Sequence, residues 1–363
     1  MQSNRGLLEA DILEGTPHPR FSSKLIGHEK AFQTFIKSQL GGRLHHAWIL
    51  SGQKGIGKAT LAWKIVTELS NEANINQDYD NSKVLLAKKI MALSLSNLFL
   101  CRRPYDDKLK RLKKFITIDE IRKLKSFFQM SAIENEWRIA IIDCADDLNN
   151  AAANALLKLL EEPPNKSILI IISNQTGRLP ATVRSRCRSL HLKKLNESEI
   201  KEVLTLSDLD IDSKTADDRL VLSVIADGSA GMAITALNNN GIAFFNECLK
   251  IFSEFPNFNR KQIQTLSENV KNNIEKFKFL SGILLLIISR LALLTALSRN
   301  LTPTKEESAL VIKLYPIANV PDKLAELYSD LSKLFLSCEE LNLDTANQIF
   351  NSFIKIERKL VGN

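Results

Sequence analysis

The sequence predicts an α/β domain built on a parallel sheet, followed by a small helical segment and an all-helical C-terminal region. Three observations carry this. A short apolar run, His46-Ala47-Trp48-Ile49-Leu50, feeds directly into the glycine-rich stretch Gly52-Gln53-Lys54-Gly55-Ile56-Gly57-Lys58-Ala59-Thr60 and then into a helical pattern. Two more apolar runs, at 138–143 and 167–174, end in polar side chains, as buried parallel strands do at their carboxyl ends. Beyond Gly241, apolar residues recur at helical spacing with few strand signals.

A chain of 363 residues exceeds what one hydrophobic core usually covers, so more than one domain is expected. With 44% hydrophobic and 25% charged residues the composition is that of a soluble globular protein. Cys101, Cys144, Cys187, Cys248 and Cys338 lie far apart without a CxxC pair, and the first ten residues do not read as a signal peptide. That favours a reducing, cytoplasmic setting and argues against a disulfide framework or a zinc site. The most membrane-like stretch, 279–297, carries Arg290 inside a longer helical pattern and is expected to be a core helix, not a membrane span. The net charge of +8 suits an acidic partner such as DNA but is equally that of a merely basic protein.

Taken in order, residues 1–20 are polar and contain Pro17 and Pro19, which predicts an arm ordered only on contact. Leu25-Ile26-Gly27-His28-Glu29 leads into a helix with Ala31, Phe32, Phe35, Ile36 and Leu40 on one face. The loop at 52–60 is a phosphate-binding pattern. Gly52, Gly55 and Gly57 let backbone N–H groups converge on phosphate oxygens, the helix that begins there adds its positive end, and Lys58 supplies a point charge. The pattern departs at one position: the residue after Lys58 should carry a hydroxyl for magnesium and is Ala59. Thr60 is one step on, about 100° round the helix. Two readings follow, a working nucleotide site or an empty structural loop.

Residues 102–125 are dense in charge, with ten Lys or Arg (from Arg102 to Lys125) against Asp106, Asp107, Asp119 and Glu120. The run is either a solvated loop and helix face or a phosphate contact. Thr117-Ile118-Asp119-Glu120 reads as a capping box for a helix that buries Ile118, Ile121, Leu124 and Phe128. The next strand ends at Asp143, placed to hold magnesium, but Cys144 stands where a working ATPase has a water-orienting glutamate. Asp146 and Asp147 are expected to cap the helix starting near Asn149 or Asn150. Leucines from Leu156 to Leu160 continue that helix until Pro163-Pro164 stops it. The strand after it ends at Ser173 and Asn174, and Arg184-Ser185-Arg186-Cys187-Arg188 follows.

The helix closing in Glu-Glu-Pro-Pro and the Ser-Arg-Cys turn resemble the clamp-loader branch of the AAA+ ATPases. The resemblance implies an AAA+ P-loop domain at 21–195 after an arm at 1–20, a helical lid at 196–240 and a helical collar at 241–363. By resemblance, Ile26 and Gly27 become base contacts and Ser173 a sensor of the terminal phosphate. Gly52, Gly55, Gly57, Lys58, Ala59, Thr60 and Asp143 hold whatever nucleotide binds. Arg186 becomes an arginine finger offered in trans to a neighbouring ATPase subunit. The lid stretch Gly228-Ser229-Ala230-Gly231-Met232-Ala233 lacks the arginine that such ATPases commonly place there. Ala59, Cys144 and this lid stretch together predict weak or absent hydrolysis of ATP, magnesium only with bound nucleotide, and no zinc. The partners implied are the tau/gamma ATPase subunits and a delta subunit in a hetero-pentamer of DNA polymerase III, with the sliding clamp and primed DNA reached through the complex, and no membrane. The remaining readings are a self-sufficient AAA+ ATPase using Thr60 and Asp146, or a DNA-binding module using the 102–125 run.

Overall fold

The computed structural model describes residues 9–12, 16–22, 24–72, 79–108, 110–130, 137–296, 302–341 and 343–362. The chain packs as two compact units, Met1–Leu209 with Gly228–Met232, and Asp210–Asp227 with Ala233–Asn363. Seven strands occur among the described residues: β1 (Ala47–Ser51), β2 (Leu98–Arg102), β3 (Tyr105–Asp106), β4 (Arg111–Leu112), β5 (Arg138–Asp143), β6 (Ser167–Ser173) and β7 (Arg188–His191). Five of them form one parallel sheet in the order β2-β5-β6-β1-β7. β3 and β4 pair separately as a small antiparallel hairpin.

Every residue of β1 and β6 is buried, because helices cover both faces of the sheet. Alternate side chains go to opposite sides. On one side Trp48 and Leu50 pack with Phe35 of α1 (Glu29–Leu40), Leu61 and Ile65 of α2 (Lys58–Glu72) and Leu86 of α3 (Tyr79–Met91). On the other, Ala47 and Ile49 share a core with Ile121, Leu124 and Phe128 of α4 (Ile118–Gln129) and Leu156, Leu159 and Leu160 of α5 (Asn150–Glu161). Asn149 caps α5, its side chain accepting from the Ala152 N–H at 2.8 Å. Two short helices, α6 (Ala181–Arg184) and α7 (Glu197–Leu206), complete this unit's own helices.

The expected capping box at Thr117 is corrected by the structure. α4 starts where predicted, but the Thr117 side chain makes no capping bond, and Glu120 turns to Lys123 at 2.7 Å instead of reaching back. An i,i+3 ion pair has taken the glutamate that the box required.

The second unit is helical among its described residues: α8 (Ala216–Ala226), most of α9 (Ala230–Asn238), α10 (Gly241–Ser253), α11 (Arg260–Glu268), α12 (Ile274–Thr295), α13 (Lys305–Leu314), α14 (Val320–Leu341) and α15 (Thr345–Val361). α12 is long and apolar enough to cross a bilayer by length and composition. Nine of its residues are nevertheless buried within the protein, among them Phe277, Leu284, Ile288 and Arg290. The Arg290 guanidinium meets Glu307 at 2.6 and 2.8 Å and the Thr302 carbonyl at 2.9 Å, and Glu307 also accepts from the Thr304 N–H at the start of α13. A buried charge satisfied this completely explains how an arginine sits in the middle of an apolar helix. Removing one partner of such a pair typically costs about 3–5 kcal/mol.

Candidate functional site

The phosphate-loop residues leave the carboxyl end of β1 and wrap back on themselves. Gly52 has φ 145°, and a Cβ there would stand 2.8 Å from the Leu192 carbonyl oxygen. Gly55 has φ 79°, and a Cβ there would stand 2.5 Å from Ser229 Oγ and 3.1 Å from the Gly231 Cα. Both positions therefore require glycine for conformation and for close approach. The approach is sealed by hydrogen bonds: Ser229 Oγ donates to the Lys54 carbonyl at 2.8 Å, and the Gly231 N–H donates to the Gly55 carbonyl at 2.9 Å. From the other direction, buried His28 donates through Nε2 to the Ile56 carbonyl at 2.6 Å.

Lys58 opens α2 as predicted. Its Nζ turns into the loop and donates to the Gly52 and Gln53 carbonyls at 2.8 and 2.6 Å. Burial pulls the ammonium down to about 8, against the opposing pull of Cys144, Asp143 and Asp146. Ala59 packs its methyl against the core that contains Trp48 and Leu61, and the half-buried Thr60 follows one position further along the helix. Asp143 ends β5 facing the same crevice. Burial pushes its carboxyl up to about 7, with Asp11 and Asp147 adding to the rise and Lys58 opposing it. A glycine cradle and a lysine at a helix start fit a phosphate group. The magnesium set fits poorly, because position 59 has no oxygen and the Asp143 carboxylate is half neutralised near pH 7.

Asp146 corrects a second expectation, since Asn149 alone caps α5. Its carboxylate instead ties the ends of β5 and β6 together. It accepts from Ser173 Oγ at 2.7 Å, from the Asn174 N–H at 2.6 Å, from the Gln175 N–H at 3.3 Å and from Cys144 Sγ at 3.0 Å. Burial alone would raise this carboxyl, but those donors hold it below the usual carboxylate range. The Ser173 hydroxyl is consequently committed to Asp146. The Cys144 thiol is pushed up first by burial and then by Asp146, which leaves it protonated and packed, not nucleophilic.

Sequence reasoning missed one group altogether. Glu9 and Asp11 of the N-terminal arm dock on Arg102, the β2 residue in register with Asp143. Arg20 holds Glu9 at 2.8 Å and His18 Nε2 lies 3.0 Å from Asp11. Burial alone would raise both carboxyls; the arginines and His18 overcome it and hold them low. Glu9, Asp11 and His18 stand close enough to share a cation, but both carboxylates are already met by arginine. The rest of the predicted arm, 1–8 and 13–15, lies outside the described residues.

Arg186 sits at the opposite end of the sheet, in the turn between α6 and β7. Its guanidinium donates to the Thr182 carbonyl at 3.0 Å and meets Glu161, at the end of α5, at 2.8 Å. With side chains 38% and 48% exposed, that pair is a surface ion pair worth about 0–1 kcal/mol. Arg186 is thus held in place by a contact that little energy is needed to break. Ile26 and Gly27 lie just before α1, with the Gly27 N–H donating to the Glu29 carboxylate at 3.1 Å. The 102–125 run separates into parts: Arg102 in the sheet, the β3–β4 hairpin, and α4, where Arg122 and Lys123 are neutralised by Asp119 and Glu120.

A family profile described as DNA polymerase III, delta subunit, matches residues 27–196. The chain is similar to DNA polymerase III subunit gamma of Buchnera aphidicola subsp. Acyrthosiphon pisum, 30% identical over 206 residues that make up 55% of this chain and 54% of that protein. It is similar to subunit tau of Escherichia coli, 27% identical over 51% of this chain and 27% of the relative. Subunit delta' of Pseudomonas aeruginosa is 32% identical over 158 residues, 43% of this chain and 46% of the relative. The chain thus spans about half the length, or less, of these curated relatives. Among solved structures, a DNA polymerase III gamma subunit-related protein of Thermotoga maritima aligns over 92% of this chain and 99% of its own, with 16% identity and a TM-score of 0.41.

Proposed function

The chain is a member of the clamp-loader family of AAA+ proteins, and from that premise we propose that it serves as the non-motor, delta-prime-type subunit of a cytoplasmic DNA polymerase III clamp loader. In this reading it is a rigid member of a hetero-pentamer with tau/gamma ATPase subunits and a delta subunit. It offers Arg186 in trans to a neighbour's nucleotide while its own phosphate loop turns ATP over weakly or not at all. The complex, not this chain alone, opens the sliding clamp and places it on primed DNA.

The observation that carries the reading is the commitment of the chain's own catalytic positions. Lys58 Nζ is bonded to two loop carbonyls, Ala59 is packed into the core, and Asp146 and Ser173 are bonded to each other. A carboxylate that already accepts from four donors is a poor base for orienting water, which counts against a self-sufficient ATPase built on Asp146. Any nucleotide would be held by Lys58 and the N–H groups of residues 52–60, and magnesium would depend on Asp143 alone among the predicted ligands. Arg186 would lend a fixed positive charge to the phosphoryl group transferring at the neighbour's site, an effect worth about 10³–10⁵ in rate where it is complete.

The test is ATP turnover by the purified chain with magnesium and primed DNA. The reading expects a rate at the background of a Lys58→Ala control. Turnover well above that control would show that the chain is a motor in its own right.

A further inference from the structure

At the amino ends of the strands, the end of the sheet opposite the phosphate loop, lies an open groove of about 430 Å³ lined by Thr34, Lys37, Ser38, Gly41, Arg43 and Arg188. Three of its six lining residues are cations and none is acidic. Arg188 is pre-oriented: its guanidinium lies 4.9 Å from the centre of the Trp48 ring and donates through Nη1 to Ser38 Oγ at 3.1 Å. The same Ser38 hydroxyl donates to the Arg43 carbonyl at 3.0 Å, which fixes the backbone of the second arginine beside the first. A guanidinium has five N–H donors in a planar fork, and this contact uses one. The carbonyl end of α1 would repel an anion, but its Lys37 and Ser38 carbonyls are capped by the Gly41 and Arg43 N–H groups at 3.1 and 3.2 Å.

We propose that this groove is a binding site for phosphate groups, with Arg188 as the fixed fork and Lys37 and Arg43 as flanking charges. Stacking on an aromatic ring holds a guanidinium at little entropic cost and leaves its edge free for bidentate contact with phosphate oxygens. Two sources share that chemistry, the backbone of a nucleic acid and a free polyphosphate. The site is separate from Lys58 and does not depend on Arg186 acting in trans.

The experiment measures binding of the full-length chain to a fluorescent single-stranded oligonucleotide and, separately, to tripolyphosphate, across a salt series. The double variant Lys37→Gln, Arg43→Gln and a Lys58→Gln control are carried in parallel. The double variant is expected to bind at least about tenfold more weakly at low salt and to lower the salt slope for the single strand by about 1.4, roughly 0.7 per lost phosphate contact. Its thermal midpoint should be unchanged. Loss confined to the oligonucleotide identifies a nucleic-acid backbone as the ligand, and loss confined to tripolyphosphate identifies a free polyphosphate. Unchanged affinity and slope in the double variant, or absence of binding to either probe by the wild type, overturns the proposal. So does binding that is lost only with Lys58→Gln.

Discussion

The two ends of the parallel sheet use their polar side chains in opposite ways. At the carboxyl end, Lys58, Asp146, Ser173 and the Ser229–Gly231 strap are bonded to one another or to nearby backbone, and Asp143 is held near neutrality. At the amino end, Arg186 is presented on a turn by a backbone carbonyl and a surface ion pair, and Arg188 on an edge strand by Ser38 and the Trp48 ring. In a nucleotide-fold domain the first end normally does the chemistry. Here the polar groups of that end are bonded within the fold, whereas Arg186 is half-buried and Arg188 exposed at the second.

The contrast makes a stability prediction that separates the ends. Asp146→Ala leaves Ser173 Oγ and the Asn174 and Gln175 N–H groups without their acceptor, and it should cost about 3 kcal/mol in urea denaturation with an unchanged m-value. A loss under about 1 kcal/mol would mean the β5–β6 tie is ornamental and Asp146 is free for catalysis.

The next effect depends on pH. The Asp143 carboxyl is raised from 3.8 to about 7, so between those values the folded chain keeps a proton that the unfolded chain has released. Wild-type stability should therefore fall as pH rises from about 4 to 7 on this account. Lys58, lowered from 10.5 to about 8, has the opposite effect, and stability should recover between those values. Asp143→Asn should remove the first slope, making the variant about 4 kcal/mol more stable at pH 7.5 and close to wild type near pH 4. Parallel stability curves for the two proteins across that range would contradict the burial of Asp143 described above.

How much of this was legible in the sequence follows from how local each feature is. β1, β5 and β6 are continuous apolar runs, and buried central strands announce themselves that way. β2 and β7 carry weaker signals, because edge strands are only partly covered: in β7 only Leu190 is buried, and Arg-Ser-Leu-His forms no apolar run. The β3–β4 hairpin was hidden inside a charge run. The phosphate loop is contiguous, so both its pattern and its missing hydroxyl at Ala59 are legible in the sequence. The Asp146–Ser173 bond spans 27 residues and the Asp11–Arg102 pair spans 91, and no spacing rule reaches that far. The seal on the loop is likewise nonlocal: Ser229 bonds to Lys54, 175 residues away, and the sequence around it shows only the lack of an arginine.

Two smaller effects complete the series. Ser229→Ala should cost about 1 kcal/mol by removing the bond to the Lys54 carbonyl, and hydrogen exchange at the Gly55 and Ile56 amides should speed up with it. Unchanged exchange would show that the strap does not hold the loop. Lys37→Gln with Arg43→Gln should move stability by less than about 0.5 kcal/mol, since neither side chain bonds to another group among the described residues. A larger loss would place the amino-end cations among the structural groups and erase the contrast.

The central claim is that this chain's own site is quiet while its arginine acts on a neighbour. Its most direct test is ATP turnover by the reconstituted clamp-loader assembly with clamp and primed DNA, comparing Lys58→Ala with Arg186→Ala in this subunit alone. The account predicts wild-type turnover per assembly for Lys58→Ala and, for Arg186→Ala, a loss of about 10³-fold at the one site it faces. Equal turnover for wild type and Arg186→Ala, or a large loss with Lys58→Ala, would contradict it.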